Sequence, residues 1–160
     1  MRYFLYTYST RENYEVSRSS GMFGVRDDRT GLPTKVRGLR VGDVILIRDA
    51  RVKSLRFFGH CRVTGLAFDQ RLRQGAEGYL WPNEVAQRKL IYPIRVPVDF
   101  NEVPDLTVAG IGWSDLDELG FVNQNGEPMQ GIQRWALKLR GNLVESSFEV
   151  NALNRLLKRS

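Results

Sequence analysis

What this chain has little of narrows its chemistry before anything it contains. Cysteine and histidine occur once each, as Cys61 and His60. One cysteine excludes an intramolecular disulfide and every zinc site built from several thiolates, which fits a reducing compartment. One histidine removes most histidine-based metal sites. No apolar run approaches the roughly 20 residues that a membrane-spanning helix needs. The opening Met1-Arg2-Tyr3-Phe4-Leu5-Tyr6-Thr7 is too short and too quickly polar for a signal peptide. There is no repeat, no low-complexity block and no long linker. No glycine precedes Lys-Ser or Lys-Thr at the offset of a phosphate-binding loop, and no dinucleotide fingerprint is present. The expectation is a soluble cytoplasmic protein that uses no cofactor.

The 160 residues suit one domain, 1–160, large enough to bury a core without a staple. With 24 Lys and Arg against 18 Asp and Glu, the net charge is +6 and the pI near 9.8. That balance admits an anionic partner, but the surface stays mixed, so charge alone does not name one.

Hydrophobic periodicity reads as an α+β domain rich in strands. Residues 2–7 alternate and are aromatic enough for a first strand. A capping box, Ser9-Thr10-Arg11-Glu12, then predicts a helix over 10–19 that stops at Gly21. The element Gly21-Met22-Phe23-Gly24-Val25 begins a second strand. A Gly42-Asp43 turn precedes the apolar run Val44-Ile45-Leu46-Ile47, and residues 48–56 read as a basic hairpin loop. The return strand over 57–64 places Phe57, Gly59, Cys61 and Val63 on one face and Phe58, His60, Arg62 and Thr64 on the other. Pro93 and Pro97 make the strand over 90–100 an edge or bulged one. Residues 134–140 alternate again, with a basic face. A second capping box, Ser146-Ser147-Phe148-Glu149, predicts a closing helix. Together these elements suggest a small mixed β-barrel or strongly curved sheet flanked by short helices.

Catalytic readings fare poorly. His60 lies inside a strand with no serine at a sharp turn nearby. Cys61 points with the apolar set, as a structural thiol does. The cluster Asp115-Leu116-Asp117-Glu118 follows Ser114, where first-turn carboxylates complement a helix dipole. The aromatic residues say more. Asn13 stands ten residues ahead of Phe23 across one short helix, so an amide and an aromatic face can meet in one pocket. Flat hydrogen-bonding ligands such as nucleobases are held by that pairing. Trp81, after Gly78-Tyr79-Leu80 and before Pro82-Asn83, reads as a loop tryptophan and a stacking candidate.

The runs Tyr3-Phe4-Leu5-Tyr6-Thr7, Arg11-Glu12-Asn13-Tyr14-Glu15-Val16 and Met22-Phe23-Gly24-Val25 resemble the start of EVE domains. Arg40-Val41-Gly42-Asp43, Phe58-Gly59-His60-Cys61-Arg62-Val63, Tyr92-Pro93-Ile94-Arg95-Val96 and Arg134-Trp135 extend the resemblance, in order, over nearly the whole chain. EVE domains belong to the PUA-like superfamily and are similar to the YTH domains that read N6-methyladenine. The resemblance implies a PUA-like, EVE/YTH-type fold and a non-catalytic reader that flips a modified base into an aromatic cage. It places the first cage aromatic at Phe23, where tryptophan is usual, the base-reading backbone at Gly24 and the edge-reading asparagine at Asn13. The second cage tryptophan falls nearest Trp81, with Trp113 and Trp135 as alternatives, and Thr7, Tyr8 and Ser9 correspond to polar pocket residues. Candidates for flanking phosphates are Arg48, Arg51, Lys53 and Arg56 in the hairpin loop and Lys138 and Arg140 on the basic strand.

The expected ligand is N6-methyladenine ahead of 5-methylcytosine, in DNA ahead of RNA. The expected setting is a prokaryotic modification-dependent restriction system, this chain being its separated N-terminal module, with an AAA+ or nuclease domain downstream in a longer protein. Two other readings stand beside it. One is an RNA-binding PUA-like module without base flipping. The other is a nucleotide- or RNA-processing enzyme of the superfamily, using Asp43, His60 or Glu84.

Overall fold

The first strand, β1 (Tyr3–Tyr8), carries aromatic and apolar residues in succession because both of its neighbours and both of its faces are covered. It pairs in parallel with β3 (Val44–Asp49) and antiparallel with β7 (Val144–Ser146). The structure, a computed structural model, describes residues 2–51, 57–75, 77–100, 127 and 141–146.

Helix α1 (Arg11–Ser20) follows β1. Its cap is Thr10, whose hydroxyl accepts the Asn13 backbone N–H at 3.1 Å. The cap thus falls one residue later than the Ser9–Glu12 box implies, because Thr10 is extended and three residues from that N–H. The helix ends as expected at Gly21, whose φ of 66° is the left-handed conformation that favours glycine. Strand β2 (Met22–Val25) comes next. Then comes α2 (Leu32–Arg37), a helix absent from the sequence reading. With six residues and a glycine in place of a side-chain cap, it carries neither a periodic stripe nor a start signal.

Strand β3 runs two residues further than its apolar core, since Arg48 and Asp49 continue the ladder opposite Thr7 and Tyr8. The hairpin loop therefore starts at Ala50 rather than Arg48. Strand β4 (Phe57–Val63) returns antiparallel to β3. Its register shifts between Ile47 and Arg48, leaving Phe58 as an extra residue, and the simple alternation of faces breaks there. Phe58 joins Cys61 and Val63 in the core and stacks on Tyr14, 5.2 Å between ring centroids.

Strand β6 (Ile94–Asp99) is not an edge: it lies between β2 and β4. Pro97 is tolerated because its missing donor faces the point where β4 ends. Val63 is the last β4 partner, opposite Val98, and Pro97 only accepts there, from the Thr64 N–H at 2.9 Å. Below that point the short β5 (Phe68–Asp69) pairs with β6. Helix α3 (Pro82–Gln87) begins directly after Trp81, which is its cap residue.

The resulting strand order among the described residues is β2-β6-β4-β3-β1-β7, with β5 on β6. This is the α+β architecture expected, a curled half-barrel of mixed sheet with short helices. Ser146, expected to cap a final helix, is the last residue of β7. The strand over 134–140, the remainder of that closing helix, the acidic cluster at 115–118, Trp113 and Trp135 lie outside the described residues. No helix among the described residues is long and apolar enough to cross a membrane.

Candidate functional site

At the carboxyl ends of the parallel pair β1 and β3, the chain leaves the sheet into α1 on one side and into the turn at Ala50 on the other. A cavity of about 770 Å³ opens between them. Crevices beyond the ends of parallel strands are where ligands settle, because the diverging connections leave room and expose backbone polar groups. The end of β1 contributes Tyr6, Thr7 and Tyr8, followed by Ser9, and α1 contributes Asn13. Gly24 of β2, Arg48 and Ala50 complete one half. Trp81, Asn83 and Tyr92 form a second wall, and Arg26, Arg29, Leu32 and Gly141 a third. Seven of the sequence-derived candidates thus meet here: Thr7, Tyr8, Ser9, Asn13, Gly24, Trp81 and Arg48.

Thr7 presents a buried hydroxyl with no hydrogen-bond partner among the described residues. Such an atom is costly to bury unless a ligand or water completes it. Asn13 gives its backbone N–H to Thr10, so the capping bond does not use its side-chain amide, which is free to face the cavity. Tyr8 has a different part. Its hydroxyl bonds the Ser17 hydroxyl at 2.8 Å and faces the Gly24 backbone N–H, and burial drives its pKa well above the ordinary tyrosine value. It ties β1, α1 and β2 together behind the pocket.

Gly24 lies on the outermost described strand of the sheet. The Val98 N–H bonds the Gly21 carbonyl at 2.9 Å, which makes Phe23 and Val25 the residues whose backbone groups point at β6. The N–H and carbonyl of Gly24 therefore point the other way, toward the Tyr8 hydroxyl and the cavity. Its missing side chain matters too: a Cβ there would stand 2.5 Å from Cη2 of Trp81. The indole occupies the space that any other residue would fill.

Trp81 is held by the segment after it. The Glu84 carboxylate accepts the backbone N–H groups of Leu80, Trp81, Ile91 and Tyr92 at 2.9–3.4 Å and pairs with Arg95 at 3.2 Å. Arg95 lies 5.1 Å from the Trp81 ring, and Tyr92 meets that ring edge-on at 5.2 Å. Asn83 donates to the Tyr92 hydroxyl at 2.8 Å. A buried acid thus fixes both aromatic residues of this wall. Trp81 is the helix cap rather than a residue of an open loop, and it is 1% exposed.

Phe23 is placed differently from the expected cage. It is 0% exposed and does not line the cavity. Alternation along β2 puts its ring on the face opposite Trp81, where it packs edge-on against Tyr6 at 4.9 Å and parallel to Tyr8 at 6.1 Å. It backs the pocket tyrosines and touches no ligand space. We therefore expect Phe23→Leu to cost about 1–2 kcal/mol of stability. Binding of a ligand in the cavity should change by no more than about twofold, since no wall is removed.

The phosphate candidates also divide. Arg48 is not a loop residue but lies in β3 at 7% exposure, where burial lowers its pKa and Asp49 acts in the opposite sense. Arg51 stands outside the cavity with its guanidinium on Asp49 at 3.0 and 3.1 Å, a pairing that raises its pKa. Lys53, Arg56, Lys138 and Arg140 lie outside the described residues. Of the enzymatic candidates, Asp43 is engaged by Arg2 at 2.7 Å and Glu84 by the network above. Burial, helped by Arg62, pushes His60 down to about 4, so it is neutral near pH 7. None of the three lines the cavity. Tyr6, Arg26, Arg29, Asn83 and Tyr92 were not singled out by sequence reasoning. Their signal was weak, because they come from four separate segments joined only by the fold.

No family model and no curated protein matches the sequence. Solved structures do match in fold. A hypothetical protein from Leishmania major is 15% identical, with a TM-score of 0.56 over 99% of this chain and 95% of its own. The CPSF4 YTH domain of Toxoplasma is 17% identical at a TM-score of 0.57, covering 99% and 87%. The YTH domain of Zygosaccharomyces rouxii MRB1, solved in complex with N6-methyladenosine RNA, is 12% identical at 0.53, covering 98% and 84%. The chain has the YTH-like fold that the resemblance implied.

Proposed function

We propose that this protein is a non-catalytic reader that receives one modified base, flipped out of a nucleic acid strand, in the cavity beyond β1 and β3. The observation that carries this is the convergence there of the Asn13 amide, the Thr7 hydroxyl, which has no partner among the described residues, and the outward backbone of Gly24 against the Trp81–Tyr92 wall. Donors and acceptors read a base edge, and aromatic walls take its face. Flipping costs a few kcal/mol, which stacking and edge hydrogen bonds offset. A methyl group entering the apolar wall adds about 1 kcal/mol. N6-methyladenine is our first candidate and 5-methylcytosine the second. DNA is the polymer we favour, on the restriction-system resemblance. The N6-methyladenosine complex of the Zygosaccharomyces YTH domain is with RNA, so RNA belongs in the same assay.

The test is a titration of methylated and unmethylated oligonucleotides, adenine and cytosine versions, as DNA and as RNA, at moderate salt. Equal affinity for every version overturns the reading. Asn13→Ala sharpens it. Because the cap bond uses the Asn13 backbone and not its side chain, the thermal midpoint should hold. Loss of one edge-reading bond should weaken the preferred oligonucleotide by about tenfold.

A further inference from the structure

Hydrogen bonding within the Trp81–Tyr92 wall decides which way one of its polar groups faces. Asn83 and Tyr92 both line the cavity, and the Asn83 side-chain N–H donates to the Tyr92 hydroxyl at 2.8 Å. The other end of that amide is taken as well, because its carbonyl accepts the Glu84 backbone N–H at 3.2 Å. Turning the amide over would set its NH2 group against that N–H, donor facing donor, so its orientation is fixed. The Tyr92 oxygen therefore accepts from Asn83, and its own proton goes elsewhere. No other described residue takes that proton. We propose that Tyr92 determines specificity as a fixed donor, giving its hydroxyl proton to a lone-pair atom on the edge of the bound base, a bare ring nitrogen or a carbonyl oxygen. The inference rests on the base-reading function and adds the polarity of one contact to it.

The hydroxyl is placed for this contact. Tyr6 lines the same cavity, and its pKa is driven up first by burial and then by the Tyr92 phenol, which puts the polar end of Tyr92 on the cavity side near Tyr6. The residue is held from behind. Its backbone N–H lies on the Glu84 carboxylate at 3.0 Å, and its ring meets Trp81 edge-on at 5.2 Å. A donor anchored in this way loses little conformational freedom when a ligand arrives. The other polar side chains are less demanding, since the Thr7 hydroxyl can give or accept and the Asn13 amide offers both kinds of group. Tyr92, whose oxygen already accepts, is left with a proton to give. A base carrying an N–H at that point would leave two donors face to face and both without a bond.

The experiment is a double-mutant cycle of Tyr92→Phe and Asn83→Asp, read as affinity for the oligonucleotide bound best in the titration above, with thermal midpoints alongside. Phenylalanine keeps the ring wall and removes the donor, so binding should weaken about tenfold while the ratio of methylated to unmethylated affinity is kept. Aspartate has the shape of asparagine and still accepts the Glu84 N–H, and in the first turn of α3 it should leave the thermal midpoint in place. Its carboxylate, however, takes the Tyr92 proton instead of donating, which turns a hydroxyl lone pair toward the ligand. Asn83→Asp should therefore weaken binding by about tenfold or more in the otherwise unchanged chain. In the Tyr92→Phe background it should cost about threefold or less, the effect of the added charge alone, and that remainder should shrink as salt rises. A hydroxyl that only braces the ring gives a different result, because aspartate still bonds it and the cost of Asn83→Asp would be the same in both backgrounds. Equal costs, or full binding by Tyr92→Phe, overturn the donor and leave the base reading standing where the methyl preference is kept. Coupled losses with equal affinity for methylated and unmethylated strands overturn the modified-base reading and leave the donor standing. Absence of binding by every oligonucleotide overturns both.

Discussion

Replacing Glu84 with alanine is expected to lower the unfolding free energy by about 3–5 kcal/mol, measured as a shift in urea midpoint at unchanged slope. The side chain is fully buried, and its two oxygens serve four backbone N–H groups from two segments, 80–81 and 91–92. Alanine leaves those donors unsatisfied and strands Arg95, 2% exposed, without its carboxylate. Glu84→Gln should fall between the two, since its amide group can accept at one atom but presents donors at the other. The functional consequence follows from what the network holds. Trp81 and Tyr92 are two of the four residues whose N–H groups Glu84 binds, so the aromatic wall should loosen with the carboxylate. A loss below about 1 kcal/mol would mean that the network is not what fixes this wall.

The parts of the fold that were legible from the residues are those where one local signal decides. Gly21 stops α1 because a left-handed residue is needed there, and Val44-Ile45-Leu46-Ile47 forms a strand because the run is short, rich in β-branched residues and preceded by the Gly42-Asp43 turn. What escaped depends on partners distant in sequence. Arg48 belongs to β3 only because β1 continues alongside it, Phe58 turns inward only because of a bulge against Ile47, and Pro97 is central only because β4 ends beside it. The candidate site divides the same way. Asn13 was reachable from its spacing beside the first helix, and Thr7 and Gly24 only through the resemblance. Phe23 was misplaced by the spacing and the resemblance alike, because neither carries the local packing, and the alternation of Phe23, Gly24 and Val25 already contained the correction. Arg26 and Arg29 could be recognised only once the loop bearing them was seen at the cavity.

Gly24→Ala is expected to have the largest effect on ligand binding of any single methyl group added to this protein. Strand backbone accepts alanine without strain, so the cost comes from space alone. The new Cβ would stand 2.5 Å from Cη2, 3.0 Å from Cζ2 and 3.1 Å from Cζ3 of Trp81. The indole cannot swing aside as a flexible chain end would. It is buried, with Tyr92 against its ring and the Arg95 guanidinium 5.1 Å away, and its own backbone is tied to Glu84. Either the ring shifts or β2 draws away from β6, at about 1–3 kcal/mol. Both movements distort the wall formed by Gly24 and Trp81, and affinity for the preferred oligonucleotide should drop by about a hundredfold. A double-mutant cycle separates this contact from general damage. Trp81→Phe removes the atoms that collide, so Gly24→Ala should cost less in that background, with a coupling of about 1 kcal/mol or more in stability. Strictly additive losses would show that the glycine and the indole do not share the space on which the site depends.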